Sequence, residues 1–117
     1  MGLSSTSNET VKPWKHLVIF QHIPLFIKSH DEPADIYFNI EPIQRKNLLD
    51  RFKKAGVRKI FCGHYHRNAG GFYDDIECVV TTAIGAQLGD DKHGYRLVQV
   101  EENEIKHEYI SVTNEVN

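Results

Sequence analysis

The stretch Val57–Gly71, VRKIFCGHYHRNAGG, decides how this chain folds. Its opening segment, Val57–Cys62, reads as a buried strand, and Gly63 lets the backbone turn sharply off the strand's end. His64 and His66 follow one residue apart, a spacing at which both imidazoles can face a single cation. Immediately before the strand lies Ile43–Ala55, IQRKNLLDRFKKA, where Leu48, Leu49, Phe52 and Ala55 share one helical face. Pro42 stands near the start of that helix and Gly56 after it, while Lys53 and Lys54 in the last turn suit the helix dipole.

Further out, His16–His22, HLVIFQH, is a continuous apolar run with β-branched members, as in a parallel-sheet strand covered on both faces. Strand, crossover helix and strand make a βαβ unit with a parallel, right-handed connection. Leu25–Glu41 between them is mixed and punctuated by proline, which reads as a long connection bordering a groove. Downstream, Ile76–Thr82, Tyr95–Val100 and Glu104–Val112 read as antiparallel strands, the last two joined by a tight ENE turn. The expected class is α/β: a βαβ unit followed by an antiparallel meander.

Residues 1–14 are polar, rich in serine and threonine and without periodicity, so they read as a flexible arm; residues 15–113 form the folded part and 114–117 a tail. Met1–Thr6 also fits the loose N-myristoylation pattern, and Asn8–Thr10 is a glycosylation sequon with meaning only in a secreted chain. With 117 residues, 40% hydrophobic and 26% charged, the chain has the balance of one soluble domain with a modest core. A net charge of −2 gives no basic footprint, which argues against a nucleic-acid partner. No apolar run is long enough to form a transmembrane segment. Two cysteines, Cys62 and Cys78, lie in strand-like stretches and read as buried free thiols, which favours a reducing, cytoplasmic location.

In open parallel sheets, ligand sites form beyond the C-terminal ends of strands. His22 ends the first strand, and His64 and His66 follow the second, so adjacent strands bring the three together. Imidazole is a common ligand for divalent transition metals. An isolated H-x-H is usually a chance pairing; the preceding strand, Gly63 and the matching His22 favour a metal site. Tyr65 points away from both imidazoles if the segment stays extended. His16, His30, His93 and His107 read as ordinary surface residues, and Arg67 and Asn68 as loop residues within reach of a phosphate.

These segments resemble the calcineurin-like metallophosphoesterase family. Gln21–Pro24, QHIP, is similar to the block carrying that family's lone metal-binding histidine, and Gly63–His66, GHYH, to its closing G-H-x-H block. FQHIPLF, GHYHRNAGG and AIGAQLG, within Lys15–Thr113, are most similar to a branch of serine/threonine phosphatases acting on Akt-type kinases. The resemblance implies a four-layer α/β/β/α sandwich, of which this chain is the C-terminal half. It also implies two divalent ions (Mn, Fe or Zn), with His22 and His64 on one and His66 on the other. A phosphorylated protein is the implied substrate.

The family's D-x-H, G-D-x-x-D and G-N-H-D/E blocks should precede QHIP, where only the polar arm stands. Gly89–His93, GDDKH, imitates the second block but has His where its second Asp belongs. The chain by itself is therefore expected to be inactive, or to act as a non-catalytic interaction module competing with the full-length phosphatase. A one-metal hydrolase is a third reading, because three histidines can hold zinc with an open position. Strands lacking their neighbours also predict marginal stability and self-association.

Overall fold

The computed structural model describes residues 15–85, 88 and 92–112. The arm at 1–14, the tail at 114–117, and the first three residues of GDDKH lie outside the described residues.

The elements are β1 (Val18–Gln21), α1 (Pro42–Ala55), β2 (Lys59–Cys62), β3 (Ala69–Tyr73), β4 (Ile76–Val80), β5 (Gly94–Val100) and β6 (Ile105–Ser111). As the sequence predicts, β1 and β2 pair in parallel across α1, with Val18 opposite Lys59 and Gln21 opposite Cys62. The helix begins where the Glu41 side chain accepts hydrogen bonds from the Ile43 and Gln44 amides, and it ends at Gly56 in the left-handed conformation. Leu49 is buried, and Leu48 and Phe52 pack beside it against the core. Ala55, expected on the same face, is exposed because the helix ends there.

The C-terminal part departs from a simple meander. The four-stranded sheet has the order β1-β2-β4-β3, and β4 runs parallel to β2, with Ile60 opposite Cys78. The extra strand β3 is antiparallel to β4, the two joined by a tight turn at Asp74 and Asp75. Its two glycines disguise it as a turn. A Cβ on Gly71 would overlap the Lys28 carbonyl, and one on Gly70, at φ +147°, the Cys78 carbonyl. The glycines therefore permit close backbone packing. Strands β5 and β6 form a separate antiparallel hairpin, as expected.

The expectation that the first strand is buried on both faces fails. β1 is the edge of its sheet, and Phe20 is 73% exposed, whereas its register partner Phe61 on β2 is buried beside the His107 ring of the hairpin. β2 does meet that expectation, with Ile60, Phe61 and Cys62 all buried. The connection after β1 is also more than a surface loop. Leu25 and Phe26 are completely buried and join Leu49, Val57, Ile60, Ile76, Cys78 and Val80 in one core. Cys62 and Cys78 are buried free thiols on neighbouring strands, their sulfurs 3.9 Å apart.

The hairpin is tied to the larger sheet by polar contacts. His107 Nε2 lies 3.1 Å from Glu77 Oε1, which also accepts from Lys59 Nζ at 2.6 Å. Arg96 donates to Thr81 Oγ1 at 3.0 Å and to Asn68 Oδ1 at 3.3 Å. His107 is therefore not the surface residue expected: its side chain is only 17% exposed. His16 likewise bonds the Glu101 carbonyl through Nε2.

Candidate functional site

The register of β1 on β2 sets the site. With Gln21 level with Cys62, the next step of the ladder is a 3.0 Å bond from the Gly63 amide to the His22 carbonyl. The strand then breaks abruptly. Tyr65 N donates to Gly63 O at 2.7 Å across His64, whose φ is +69°. Such a three-residue turn at positive φ is sterically strained for an L residue, and His66 sits at φ +61° as well. Strain of this kind concentrates where a side chain must be aimed.

The turn aims the His64 ring back across the end of β1. His64 Nδ1 stands 3.1 Å from His22 Nε2, although 42 residues separate them, and the rings meet edge to face at 4.7 Å. On its other side, His64 Nε2 lies 2.7 Å from the Tyr37 carbonyl. A carbonyl can only accept, so Nε2 carries a proton, and Nδ1 is the nitrogen that faces His22.

Tyr37 is held by a lattice of bonds within the connection. Asp35 Oδ1 accepts from the amides of Tyr37 and Phe38, and Asn39 Oδ1 accepts from Asp35 N. Asn39 Nδ2 in turn donates to Glu32 Oε2 at 2.8 Å. The Glu32 carboxylate also accepts from the amides of Ile27, Lys28 and Ser29. Burial pushes the Glu32 pKa up, but these hydrogen bonds outweigh it and hold the carboxyl below its ordinary range. Arg45, buried on α1, donates to the carbonyls of His30, Glu32 and Ile40, and Ile40 N closes the loop on Pro24 O.

The structure thus brings two of the three predicted histidines into contact. Two nitrogens bound side by side to one cation at about 2.1 Å lie about 3.0–3.4 Å apart, so the His22–His64 spacing fits a shared ion. Among the described residues, no group of three or more His, Cys, Asp or Glu side chains could hold a metal. His66 follows the pair, its carbonyl accepting from Leu88 N at 2.8 Å. Tyr65 does not simply point away, since the segment is not extended. It packs against the core and meets the Phe38 ring at 5.1 Å. Asn68 turns inward to Thr82 N and Arg96, which gives it a structural task. The Glu32–Asn39–Arg45 lattice escaped the sequence reading. Its trace there is the density of short polar side chains between Ser29 and Asn39, which favour bonds to nearby backbone.

No protein-family model matches the chain, and no solved structure matches it. Curated relatives do. A protein of Danio rerio named serine/threonine-protein phosphatase CPPED1 is 54% identical over 100 residues, covering 86% of this chain and 32% of the relative. Proteins of the same name from Homo sapiens and Mus musculus are 53% and 50% identical, covering 84% and 86% of this chain. The chain spans about a third of the length of these relatives, less than the half expected. With half or more of the aligned residues shared, the chain belongs to the calcineurin-like metallophosphoesterase family and matches the C-terminal part of these phosphatase-named proteins.

Proposed function

We propose that this chain is the part of a divalent-metal-dependent phosphoesterase that contributes His22, His64 and His66 to the metal centre. The observation that carries the reading is the His22–His64 contact at the ends of two parallel strands, with His64 Nδ1 turned to His22 by the bond of its Nε2 to the Tyr37 carbonyl. The name of the relatives supports a phosphorylated serine or threonine of a protein as substrate. Akt-type kinases are the substrates that the motif resemblance suggests. Divalent ions bound there, Mn, Fe or Zn, would supply charge neutralisation at the attacking and leaving oxygens. The chain's own residues hold and orient: the strained turn aims His64, and the Glu32 lattice keeps its hydrogen-bond partner in place. Isolated, the chain is inactive, because a two-metal displacement needs a ligand bridging cations about 3.5–4 Å apart and the histidine pair does not bridge. The two reduced thiols suit a cytoplasmic setting.

A chimera tests this reading. The chain replaces the matching C-terminal part of one relative, and hydrolysis of a phosphoserine peptide is measured. The wild-type chimera should be active and its His64→Ala form should not. A folded, metal-loaded chimera without activity would contradict the proposal.

The edge of β1, without a neighbour among the described residues, and its exposed Phe20 favour a second reading, a non-catalytic module that competes with the full-length phosphatase for partners. A partner captured by both proteins and lost on substitution of Phe20 would support it.

A further inference from the structure

We propose that Arg67 is the residue of this site that binds the phosphoryl group of a phosphate monoester; the inference rests on the phosphoesterase reading and names its substrate contact. The guanidinium of Arg67 lies over the Tyr65 ring, 4.7 Å from its centroid, and 5.9 Å from the centroid of Phe38. The Phe38 ring also meets the His64 ring at 5.7 Å, so one aromatic side chain touches both the arginine and the candidate metal ligand. Stacking engages the flat face of a guanidinium and leaves its N–H donors, which lie in the plane, uncommitted.

The other arginines near the sheets are employed differently. Arg45 is buried among carbonyls, Arg58 pairs with Asp75, and Arg96 bonds Thr81 and Asn68. Among the described residues, Arg67 has ring partners but neither an ion pair nor a hydrogen bond. A cation held in position by two rings, with its fork of donors unspent, is built to receive a divalent oxyanion bidentately. Its place, two residues beyond Tyr65 and across Phe38 from His64, puts that anion beside the histidine pair. The Phe38 and Tyr65 rings are positioning groups that hold the guanidinium.

The test uses the full chain and reads two quantities on each sample: Mn2+ retained, and affinity for inorganic phosphate and for a phosphoserine peptide. Arg67→Gln should weaken both phosphate ligands by about tenfold or more while retaining as much Mn2+ as the wild type. Arg67→Lys should recover only part of the affinity, since an ammonium cannot bind in a fork. Phe38→Leu should weaken phosphate binding less than Arg67→Gln does. Equal phosphate affinity in the wild type and Arg67→Gln, or no phosphate binding by the wild type, would overturn the assignment. Repeating the comparison without Mn2+ reads Arg67 alone, so that failure of the metal centre and failure of the anion contact are told apart.

Discussion

His64 and Tyr37, 27 residues apart, are joined by a 2.7 Å hydrogen bond from imidazole Nε2 to a backbone carbonyl. The bond makes the long connection after β1 part of the site, because it fixes which nitrogen of His64 can face His22. Outer partners of this kind commonly set the tautomer and orientation of a metal-binding histidine.

Loss of the Glu32 carboxylate should therefore be felt at a distance. It accepts three backbone amides and Asn39 Nδ2, so Glu32→Ala should cost about 1.5–3 kcal/mol, the worth of hydrogen bonds to a charged group. The same variant should bind Mn2+ more weakly, although Glu32 is not a ligand. Urea melts and Mn2+ titration check the two effects. Glu32→Gln, which keeps part of the acceptor set, should fall between.

Acid should loosen the contact between the two sheets. Burial pushes the Glu77 carboxyl up, but hydrogen bonds from Lys59 and His107, with their charges, outweigh it and hold the pKa below the ordinary value of 4.5. A carboxyl depressed by folding binds more protons when unfolded, so its contribution is full above about pH 4.5. It is lost as pH falls through the folded value. Glu77→Gln should lower stability at neutral pH and flatten the loss below pH 4.5, as read from urea melts across pH. Glu32 has the same sign, so a residual acid slope should remain in that variant.

The two cysteines should stay reduced and unreactive in the folded chain. The hydrogen bond to Cys78, together with burial, pushes the Cys62 thiol above its ordinary range, and neither sulfur faces solvent. Thiol titration of the native chain should run at least about a hundredfold slower than in denaturant, since reaction requires local opening. Rapid labelling of either thiol in the native chain would contradict the packing of β2 against β4.

Self-association should follow from the edge of β1. Its outer backbone groups lack a described neighbour, and Phe20 stacks on Phe61 at 5.6 Å while remaining 73% exposed. Phe20→Lys should shift the chain towards monomer in light scattering, because a charge on an edge strand discourages pairing. A wild-type chain that is already a monodisperse monomer with a sharp thermal transition would contradict the expected instability.

The βαβ unit was legible because its signals are local: apolar strands, the 3.6-residue repeat of α1, and Gly56 at the stop. His22 and His64 were legible because strand ends in a parallel pair coincide. Strand β3 was not, since Ala69–Tyr73 contains two glycines whose purpose, close approach to Lys28 and Cys78, is visible only in three dimensions. The exposure of Phe20 was hidden for the opposite reason. A strand at an edge and a strand at the centre can have the same apolar sequence, and neighbours decide which it is. The Tyr37 carbonyl leaves no mark in a sequence, because every residue has one.

The central claim is that His22 and His64 hold one cation between them. Metal content after dialysis against limiting Mn2+ or Zn2+ tests it most directly, with His22→Ala, His64→Ala and the triple variant at His22, His64 and His66 beside the wild type. Bound metal should fall to a small fraction in His64→Ala and in His22→Ala and vanish in the triple variant, with the melting transitions otherwise retained. Unchanged metal content in the triple variant would contradict the account.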